Sequence, residues 1–422
     1  MKVFLRMTVA ALVLAFGGRS ALGCADGVVA PPSSAGPTPD ASDGVNGDLD
    51  GGPHDGAGSA PPACSADGWC YTRLPSPTSF DAGGIVPDPS GVRFALSSVW
   101  GSADRSAWAV SRAGHVLRWD GTEWKVVLVA GAALRSVWGA SATDIWVAGD
   151  SGTLLHGTGS DGNLTFVPVS IGSTLTIERV WGTSPTDIWL VTDRAYHLTA
   201  ETAGTATPFV EVPIPSDYGD AAAFVRPTTV WGTAEETWFA GTEGSFCAPP
   251  SCSNETRHFA ARRRDSGSGA AIWDTVPMAI PDATKVVGGT STSAGVQVLA
   301  IATRLYDTAF AARIADDASK LDAVRGTVTV AGSHVWSSEV AQAYGQPTGI
   351  WGRDANDVFL VGEWGAVRRF DGSGWQIVRV ARTAVSPLVN HLRAIDGVVD
   401  ATGEQDMWIV GEDVALHRRA KP

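Results

Sequence analysis

The sequence is poor in charged side chains, above all in basic ones. Charged residues make up 18% of the chain, against roughly a quarter in typical soluble domains. The 31 Lys and Arg are outnumbered by 44 Asp and Glu, which gives a net charge of -13. Nucleic-acid binders need a basic face that displaces counterions from phosphates, so this balance argues against a DNA or RNA partner.

Near the N-terminus the apolar run is too short to cross a bilayer. Met7–Phe16 falls well below the about 20 residues that a membrane-spanning helix needs. It follows the basic residues Lys2 and Arg6, as in a secretory signal peptide. Ala21-Leu22-Gly23-Cys24 satisfies the small-x-small cleavage rule and resembles the bacterial lipobox. We expect residues 1–23 to be a signal peptide and Cys24 to be lipidated; ordinary secretion with an unpaired Cys24 is the alternative.

Cysteine is scarce, and its number, five, is odd. With Cys24 set aside, the other four form two close pairs, Cys64 with Cys70 and Cys247 with Cys252. Export leads to an oxidising compartment, where we expect each pair to form a disulfide. A metal site is the weaker alternative, because no His has the spacing of a zinc ligand. We therefore expect neither a metal nor a cofactor.

Between Cys24 and Cys64 the chain lacks both Lys and Arg. Residues 24–63 are mostly Pro, Gly, Ala, Ser and Asp, a composition that cannot bury enough apolar surface to fold. The start of a calcium-binding loop is visible at Asn46–Gly51, but its twelfth position is Ala57, where a bidentate Glu is needed. We therefore expect a disordered, acidic, lipid-anchored linker.

Tyr and Met are rare, with five and four copies, whereas Trp occurs 17 times, mostly within an internal repeat. The repeat begins with Val-Trp-Gly or a close variant, followed by a polar turn and a strand-like run such as Asp144-Ile145-Trp146-Val147. The copies begin near residues 100, 138, 181, 231, 287, 351 and 396; Asp396 replaces the first Trp in the last of them, and the copy at 287 is degenerate. A period of about 40–50 residues is typical of propellers or solenoids.

Each repeat contains the signals of four antiparallel strands. A third strand and a turn such as Asp120-Gly121 follow the Trp run. A fourth strand then carries a large aromatic residue, at Trp124, Phe166, Phe209, Trp273, Trp336 and Trp375. We predict an all-β, seven-bladed β-propeller over residues 64–422. The last copy lacks its fourth strand, so we expect residues 68–73 to complete it and close the ring.

These motifs carry a family resemblance. The Cys-x4-Trp-Cys segment at Cys64–Cys70 and the repeated Val-Trp-Gly, Asp-Ile-Trp and Asp-Gly-x-x-Trp motifs resemble the tryptophan-rich secreted β-propeller lipoproteins of myxobacteria-type bacteria. Those proteins belong to the group with WD40-, YVTN- or BNR-like repeats. The resemblance covers roughly residues 64–422 and implies a propeller fold and an exported location. It implies no particular activity, because most members of this group have none assigned.

Several residues of the repeats are functional candidates. The acids before the second-strand aromatic, Asp144, Asp187, Asp357 and Asp406, recur at one turn of different blades, which favours fixing a hairpin over catalysis. The third-strand residues His156, His417, Arg118 and Arg369 also recur at equivalent positions of different blades, which favours a structural role.

Arg262 and Arg264 share one face of a strand and are candidates for contacting an anionic ligand, although a solvated strand also explains them. Trp364, in a Gly-flanked turn, is the best candidate for an exposed Trp that contacts a ligand.

We found no linear signature of an enzyme, whether a serine elbow, a sialidase box or a phosphate-binding loop. We expect a monomeric module that binds or scaffolds an envelope or extracellular protein or glycan. It would be secreted or anchored to the outer membrane, touching the membrane through its lipid alone. An extracellular polysaccharide hydrolase or lyase is the alternative. The variable segments at about 242–265 and 315–334 are the expected places for partner contacts.

Overall fold

The computed structural model describes most of the repeat region. The described residues are 64–75, 93–160, 162–216, 222–245, 255–265, 271–278, 283–291, 297–303, 309–314, 337–341, 346–354, 356–383, 386–400 and 402–420. Cys24, the Cys247–Cys252 pair, Trp336 and the segment 315–334 lie outside them. Within this described part, no helix combines the length and the hydropathy that crossing a membrane requires.

Within the described residues, thirty strands make up almost all of the regular structure. The first half contains β1 (Trp69–Tyr71), β2 (Leu96–Gly101), β3 (Ala107–Ser111), β4 (His115–Trp119), β5 (Trp124–Val129), β6 (Leu134–Ser141), β7 (Asp144–Gly149), β8 (Leu154–Ser160), β9 (Asn163–Pro168), β10 (Arg179–Ser184), β11 (Asp187–Val191), β12 (Ala195–Leu198), β13 (Phe209–Val212), β14 (Ala222–Gly232) and β15 (Glu236–Ser245). The second half contains β16 (Glu255–Asp265), β17 (Ala271–Met278), β18 (Ala283–Ser291), β19 (Gln297–Thr303), β20 (Ala309–Ile314), β21 (Ser337–Ala341), β22 (Pro347–Asp354), β23 (Asp357–Gly362), β24 (Val367–Phe370), β25 (Trp375–Ile377), β26 (Ala381–Thr383), β27 (Ser386–Pro387), β28 (Leu392–Val399), β29 (Gln405–Gly411) and β30 (Val414–Ala420). Short 3-10 turns occupy Asp150–Gly152 and Glu363–Gly365.

These strands form four-stranded antiparallel sheets, which we call blades. Blade 1 is β2–β5, blade 2 is β6–β9, blade 3 is β10–β13, blade 4 is β14–β17, blade 5 is β18–β21 and blade 6 is β22–β25. A further sheet, blade 7, has the order β1-β30-β29-β28, and β26 and β27 form a separate two-stranded ribbon. In blade 5, β20 and β21 are described by their backbone alone. The fold is therefore an all-β propeller of four-stranded antiparallel blades, as the repeat predicts.

Burial follows strand position within a blade. The second strands β3, β23 and β29 are buried from end to end, and β7 and β11 are buried after their first residue. The fourth strand β5 instead alternates between exposed and partly buried positions after Trp124. A strand that is covered on both faces has consecutive apolar residues, whereas a strand with one solvent-exposed face alternates between apolar and polar residues. The inner strands therefore form most of the hydrophobic core. Of the predicted fourth-strand aromatics, Trp124, Phe166, Phe209, Trp273 and Trp375 lie on β5, β9, β13, β17 and β25.

The Val-Trp-Gly motif is explained by contacts between consecutive blades. The first-strand Trp of one blade lies against the motif Gly of the next, where a side chain would have no room. A Cβ atom added at Gly139 would lie 2.7 Å from the indole of Trp100, and one added at Gly182 would lie 2.9 Å from that of Trp138. Trp351 stands in the same relation to Gly397, whereas the ring of Trp231 lies against Gly289, which occupies the Val position of the motif in blade 5. Close packing of this kind tolerates little added volume, which ties the Trp to the Gly of its neighbour.

The N-terminal strand pairs with the C-terminal one, as the truncated last repeat predicts. β1 joins β30 with Trp69 opposite Arg418, and the indole of Trp69 is fully buried. Thr72 continues the contact, because its hydroxyl donates to the carbonyl of Ala415 at 2.8 Å and accepts from Trp124 Nε1 at 2.9 Å. The segment therefore joins blade 7 to blade 1. The predicted disulfide between Cys64 and Cys70 is present beside it.

Deleting residues 64–75 is expected to lower the melting temperature sharply. The contacts of one buried Trp are worth about 3–5 kcal/mol, and exposing the edge of β30 adds to the loss, so we expect a fall of roughly 10 °C. The double variant Cys64→Ser, Cys70→Ser keeps the strand and should lose less. An unchanged melting curve for the deletion would contradict the closure, and calorimetry on both proteins decides it.

Replacing Gly139 by Ala tests the contact between blades. The new methyl group would collide with the indole of Trp100, and overpacking of this kind costs about 1–3 kcal/mol. Gly131 is the matched control, because it is exposed and an added Cβ there meets nothing within 4 Å. Urea unfolding should show a lower midpoint for Gly139→Ala and an unchanged or slightly raised one for Gly131→Ala. Equal midpoints for Gly139→Ala and the parent protein would refute the contact.

Candidate functional site

A bulge near the start of the first strand recurs around the molecule. The register between the first and second strands shifts by one residue in six blades, leaving an extra residue at Ser97, Arg135, Thr228, Val287, Thr348 and Arg393. All six line one cavity of about 790 Å³, which we call the mouth. A bulge redirects a side chain that a regular strand would place on a sheet face. The repeated backbone irregularity thus builds the wall of the mouth.

Arginine is the dominant charged residue of the mouth. Arg112, Arg135, Arg179, Arg226 and Arg393 line it together with Glu178, Asp193 and Glu363. Five of the chain's 31 basic residues are therefore gathered at one cavity of an acidic protein. Such a concentration of guanidinium groups against the net charge of the chain favours the approach of an anion.

Two of these arginines are held by carboxylates. Arg135 Nε donates to Asp150 Oδ1 at 2.8 Å, and this bond lowers the pKa of Asp150. Arg393 donates to Glu412 in the same manner. Arg112, Arg179 and Arg226 form no ion pair with any carboxylate in the described part of the chain. These three guanidinium groups retain donors for a ligand.

The arginines also act on one another. Partial burial of its guanidinium, followed by the positive charges of Arg393 and Arg135, lowers the pKa of Arg112. Neighbouring cations raise each other's free energy, and an anion placed between them relieves that repulsion. The mouth is therefore built to gain from a bound carboxylate, phosphate or sulfate group.

Below the mouth the wall is lined by small residues in every blade except one. Ser98, Ser136 and Ala394 illustrate the position, which directly follows the bulge. In blade 3 the equivalent residue is Arg179, which pairs with Val191. Its guanidinium reaches toward blade 5, where a Cβ added to Gly288 would lie 3.4 Å from Nη2. Burial lowers the pKa of Arg179.

The Trp layer lies two residues further along the first strands; blade 5 has Thr290 in this layer, and blade 7 has the second charged exception. Asp396 of blade 7 stands where Trp100 and Trp138 stand in blades 1 and 2, and pairs with Trp408. Its Oδ2 accepts a hydrogen bond from the Gly101 amide at 2.8 Å. Burial raises the pKa of Asp396 to about 7, although the Gly101 and Gly397 amides and the charge of Arg179 favour its ionised form.

Arg179 and Asp396 share a narrow cavity of about 240 Å³. Residues from the first strands of all the blades line it, so it is the central channel of the propeller. The mouth lies at the start of these strands. A third cavity of about 730 Å³, which we call the exit, lies at their ends, at the turns 101–104 and 140–143. The channel is thus cationic near one end and carries a carboxylate toward the other.

Trp364 lies beside the mouth and is exposed, as the sequence predicts. Its relative exposure is 62%, and it occupies the turn that also carries Glu363 of the mouth. Its φ of 57° is in the left-handed region that a bulky side chain rarely adopts. The indole centroid lies 4.6 Å from the ring of His391. Strain of this kind is often retained at binding sites, and ligand contact by Trp364 stays a prediction.

The four acids that precede the second-strand aromatics each bind a third-strand side chain. His156 Nε2 lies 2.8 Å from Asp144 Oδ1, and the His156 ring stacks on Trp146 with centroids 4.0 Å apart. The same trio of acid, aromatic and cross-strand His or Arg occurs in blades 3, 6 and 7, as Asp187–Trp189–His197, Asp357–Phe359–Arg369 and Asp406–Trp408–His417. Arg118 lies opposite Trp108 in blade 1. The repetition gives these residues a structural role within each blade.

Arg262 and Arg264 are placed in blade 4, away from the mouth. Arg262 is 4% exposed, donates to Asp274 and Glu236, and lies over the ring of Trp238. It is the blade 4 counterpart of His156. Arg264 also donates to Asp274, at 2.8 Å. A ligand at this pair would have to displace internal bonds, so the geometry favours the mouth.

Sequence reasoning did not identify the mouth or the channel. Their residues come from seven separate strands and form no linear motif. The sequence nevertheless contains a signal for these cavities. When the repeats are aligned, Asp396 stands at a position that usually holds Trp, and Arg179 stands at a position that otherwise holds a small residue. No group of three or more His, Cys, Asp or Glu in the described ranges is placed to hold a metal ion.

Comparisons with known proteins bear on the fold. No protein-family model matches the sequence, and no curated protein does. Among solved structures, YCF48 bound to D1 peptide is similar with a TM-score of 0.53 and 13% identity, over 86% of this chain and 100% of that one. YCF48 from Cyanidioschyzon merolae gives 0.53 and 12%, over 83% and 98%. The WD40 β-propeller domain of Doa1 gives 0.50 and 12%, over 79% and 95%. These similarities show a propeller fold.

Proposed function

We propose that this protein is an exported propeller module that binds a protein partner at the mouth of its channel. The bound element is a segment that presents carboxylates, either acidic side chains or a free C-terminus. The observation that carries the proposal is the group of three arginines without carboxylate partners, Arg112, Arg179 and Arg226, in a cavity of about 790 Å³. Guanidinium groups recognise carboxylates through paired hydrogen bonds.

The scaffold supports a binding role. We take the seven four-stranded sheets as a seven-bladed ring closed by β1, because the first strands of all of them line one channel. A rigid ring presents loops and bulges at fixed positions, which reduces the ordering cost of binding. A structure with the same fold, YCF48, holds a D1 peptide. Propellers of this kind therefore accommodate peptides, and the exposed Trp364 beside the mouth offers an aromatic contact.

The cellular location of the protein is part of the proposal. Residues 1–23 have the pattern of a signal peptide, Cys24 follows a lipobox-like tetrapeptide, and residues 24–63 have a linker composition. We propose that the mature protein is a lipoprotein of the cell envelope, like the myxobacterial propellers that it resembles. The disulfide between Cys64 and Cys70 agrees with an oxidising compartment.

Removing single arginines tests the mouth. An acidic fluorescent peptide with a free C-terminus is titrated against residues 64–422. Two further peptides, one with a C-terminal amide and one with lysine in place of the acidic residues, test whether binding depends on negative charge. Arg112→Ala and Arg226→Ala should each weaken binding by about tenfold, since a hydrogen bond to a charged group is worth about 1.5–3 kcal/mol. Binding should also weaken with added salt.

Lys125→Ala is the matched control, because Lys125 is an exposed cation of the fourth strand of blade 1 that pairs with Asp120. Lys125→Ala should bind the acidic peptide with the same affinity as the parent protein. Equal affinity for the acidic and the lysine-substituted peptides, or equal loss in all three variants, would overturn the mouth as the binding site. Recovery of a shortened glycan after incubation with a polysaccharide panel would favour the hydrolase or lyase instead.

Lipidation is tested by metabolic labelling with a radioactive fatty acid in a bacterial host. The full chain should incorporate the label and sediment with membranes, because the thiol of Cys24 is the expected acceptor. Cys24→Ser should lose both properties, whereas the control Cys247→Ser should keep them. An unlabelled parent protein, or a labelled Cys24→Ser variant, would contradict the anchor.

A further inference from the structure

The exit is chemically unlike the mouth. Trp100, Trp138 and Trp181 line it together with Asp396 and the turn residue Asp104. The mouth gathers arginines, whereas the exit gathers indoles around a carboxylate. The two cavities lie at opposite ends of the same first strands, so one ligand group can occupy the exit while another occupies the mouth.

Asp396 lines the exit at a position that holds Trp in five other blades. In blades 1, 2 and 6 the first-strand indole covers the motif Gly of the next blade, as Trp100 covers Gly139. Between blades 7 and 1 the second-strand residue Trp408 covers Gly101 instead, and a Cβ added there would lie 2.3 Å from its ring. The smaller Asp396 accepts a hydrogen bond from the Gly101 amide and lines both the channel and the exit. Trp408 thus packs against Gly101 in place of a first-strand Trp.

Asp396 has spare capacity for a donor. A carboxylate accepts about four hydrogen bonds, and the backbone amides of Gly101 and Gly397 supply two. No Lys, Arg or His pairs with Asp396 within the part of the chain that the structure describes. The positive charge of Arg179 acts on it, but Arg179 also lines the mouth. A buried carboxylate without an adjacent counter-ion is costly unless a ligand supplies one.

We propose that the exit is a binding site for an organic ammonium group, held by the carboxylate of Asp396 and surrounded by the indoles of Trp100, Trp138 and Trp181. Indole is the side chain that attracts cations most strongly through its ring, and aromatic enclosures are the usual receptors of quaternary ammonium ions. The carboxylate adds the charge that an ammonium ion needs in a place where burial disfavours an unpaired anion. The same chemistry accepts a lysine side chain or a small quaternary amine.

Binding should depend on the protonation of Asp396. Burial raises its pKa to about 7, so the ionised form that attracts a cation predominates only above neutral pH. The other charged groups along the exit and the channel are Asp104 and Arg179. Burial opposes ionisation of Asp104, but hydrogen bonds from Ser106 keep its pKa below the ordinary value, so it stays charged near neutrality. Affinity for an ammonium ion should therefore rise as the pH increases from about 6 to about 8.

The experiment uses residues 64–422 and two probes, tetramethylammonium and N-acetyl-lysine methylamide. Binding is followed by saturation-transfer NMR at constant ionic strength and by the shifts of the indole N–H signals. The uncharged isostere 3,3-dimethylbutanol reports purely apolar binding and should bind at least tenfold more weakly. Tighter binding of the lysine derivative assigns the site to a protein side chain, and tighter binding of tetramethylammonium assigns it to a small molecule.

Asp396→Asn preserves the shape and the acceptor for the Gly101 amide but removes the charge. It should weaken the tighter-binding probe at least tenfold and abolish the pH dependence. Trp181→Leu should weaken the probe about threefold to tenfold through loss of one indole. Asp371→Asn is the control, because Asp371 is an exposed turn carboxylate of blade 6 that accepts from Ser373. Circular dichroism and melting curves confirm that each variant is folded.

No binding of either probe to the parent protein would overturn the proposal, as would equal binding of the uncharged isostere. Equal affinity in Asp396→Asn and the parent would overturn it too, provided that both are folded. Because acidic-peptide binding at the mouth is measured separately, a failure at the exit leaves the result for the mouth unchanged, and the reverse also holds.

Discussion

The structure depends on one repeated contact, the indole of a first-strand Trp lying against the motif Gly of the following blade. This contact sets how closely neighbouring blades approach, because no side chain fits between ring and backbone at Gly139 or Gly182. It also places the first strands around a common channel. In blades 2, 3, 4, 6 and 7 a second device, the trio of acid, aromatic and His or Arg, fixes the second strand to the third. The two devices together explain why Trp and acidic residues recur at fixed positions of the repeat.

Both proposed binding sites lie where the repeat is broken. Positions that serve packing alone hold the same residue type in most blades. A charged residue at such a position lowers the stability of the fold, so its presence indicates a functional role. Arg179 among small residues and Asp396 among Trp residues are the clearest departures. Both face the channel, and each acts on the pKa of the other. The channel is consequently polarised, with guanidinium groups at the mouth and a carboxylate among indoles at the exit.

Much of the blade architecture could be predicted from the sequence, because local chemistry repeats with the period of the fold. Val-Trp-Gly, the Asp-x-Trp run and the fourth-strand aromatic each mark one strand, and the truncated last repeat pointed to β1. The candidate site could not be predicted in this way. Bulge residues such as Arg135 and Arg393 share a cavity but are separated by most of the chain, and the bulges are invisible to periodicity. Arg262 and Arg264 formed a conspicuous run, yet Arg262 completes the trio of blade 4.

We propose above that the protein binds an acidic partner through the mouth of its channel. Hydrogen–deuterium exchange with and without an acidic peptide addresses it directly, since the backbone amides of the bulged segments around Arg135, Arg226 and Arg393 border the mouth. We expect slower exchange on peptide addition at these segments and in the turn that carries Trp364, with no change at the exit turns 101–104 and 140–143. Protection confined to the exit turns or to the outer strands, with the mouth segments unchanged, would contradict it.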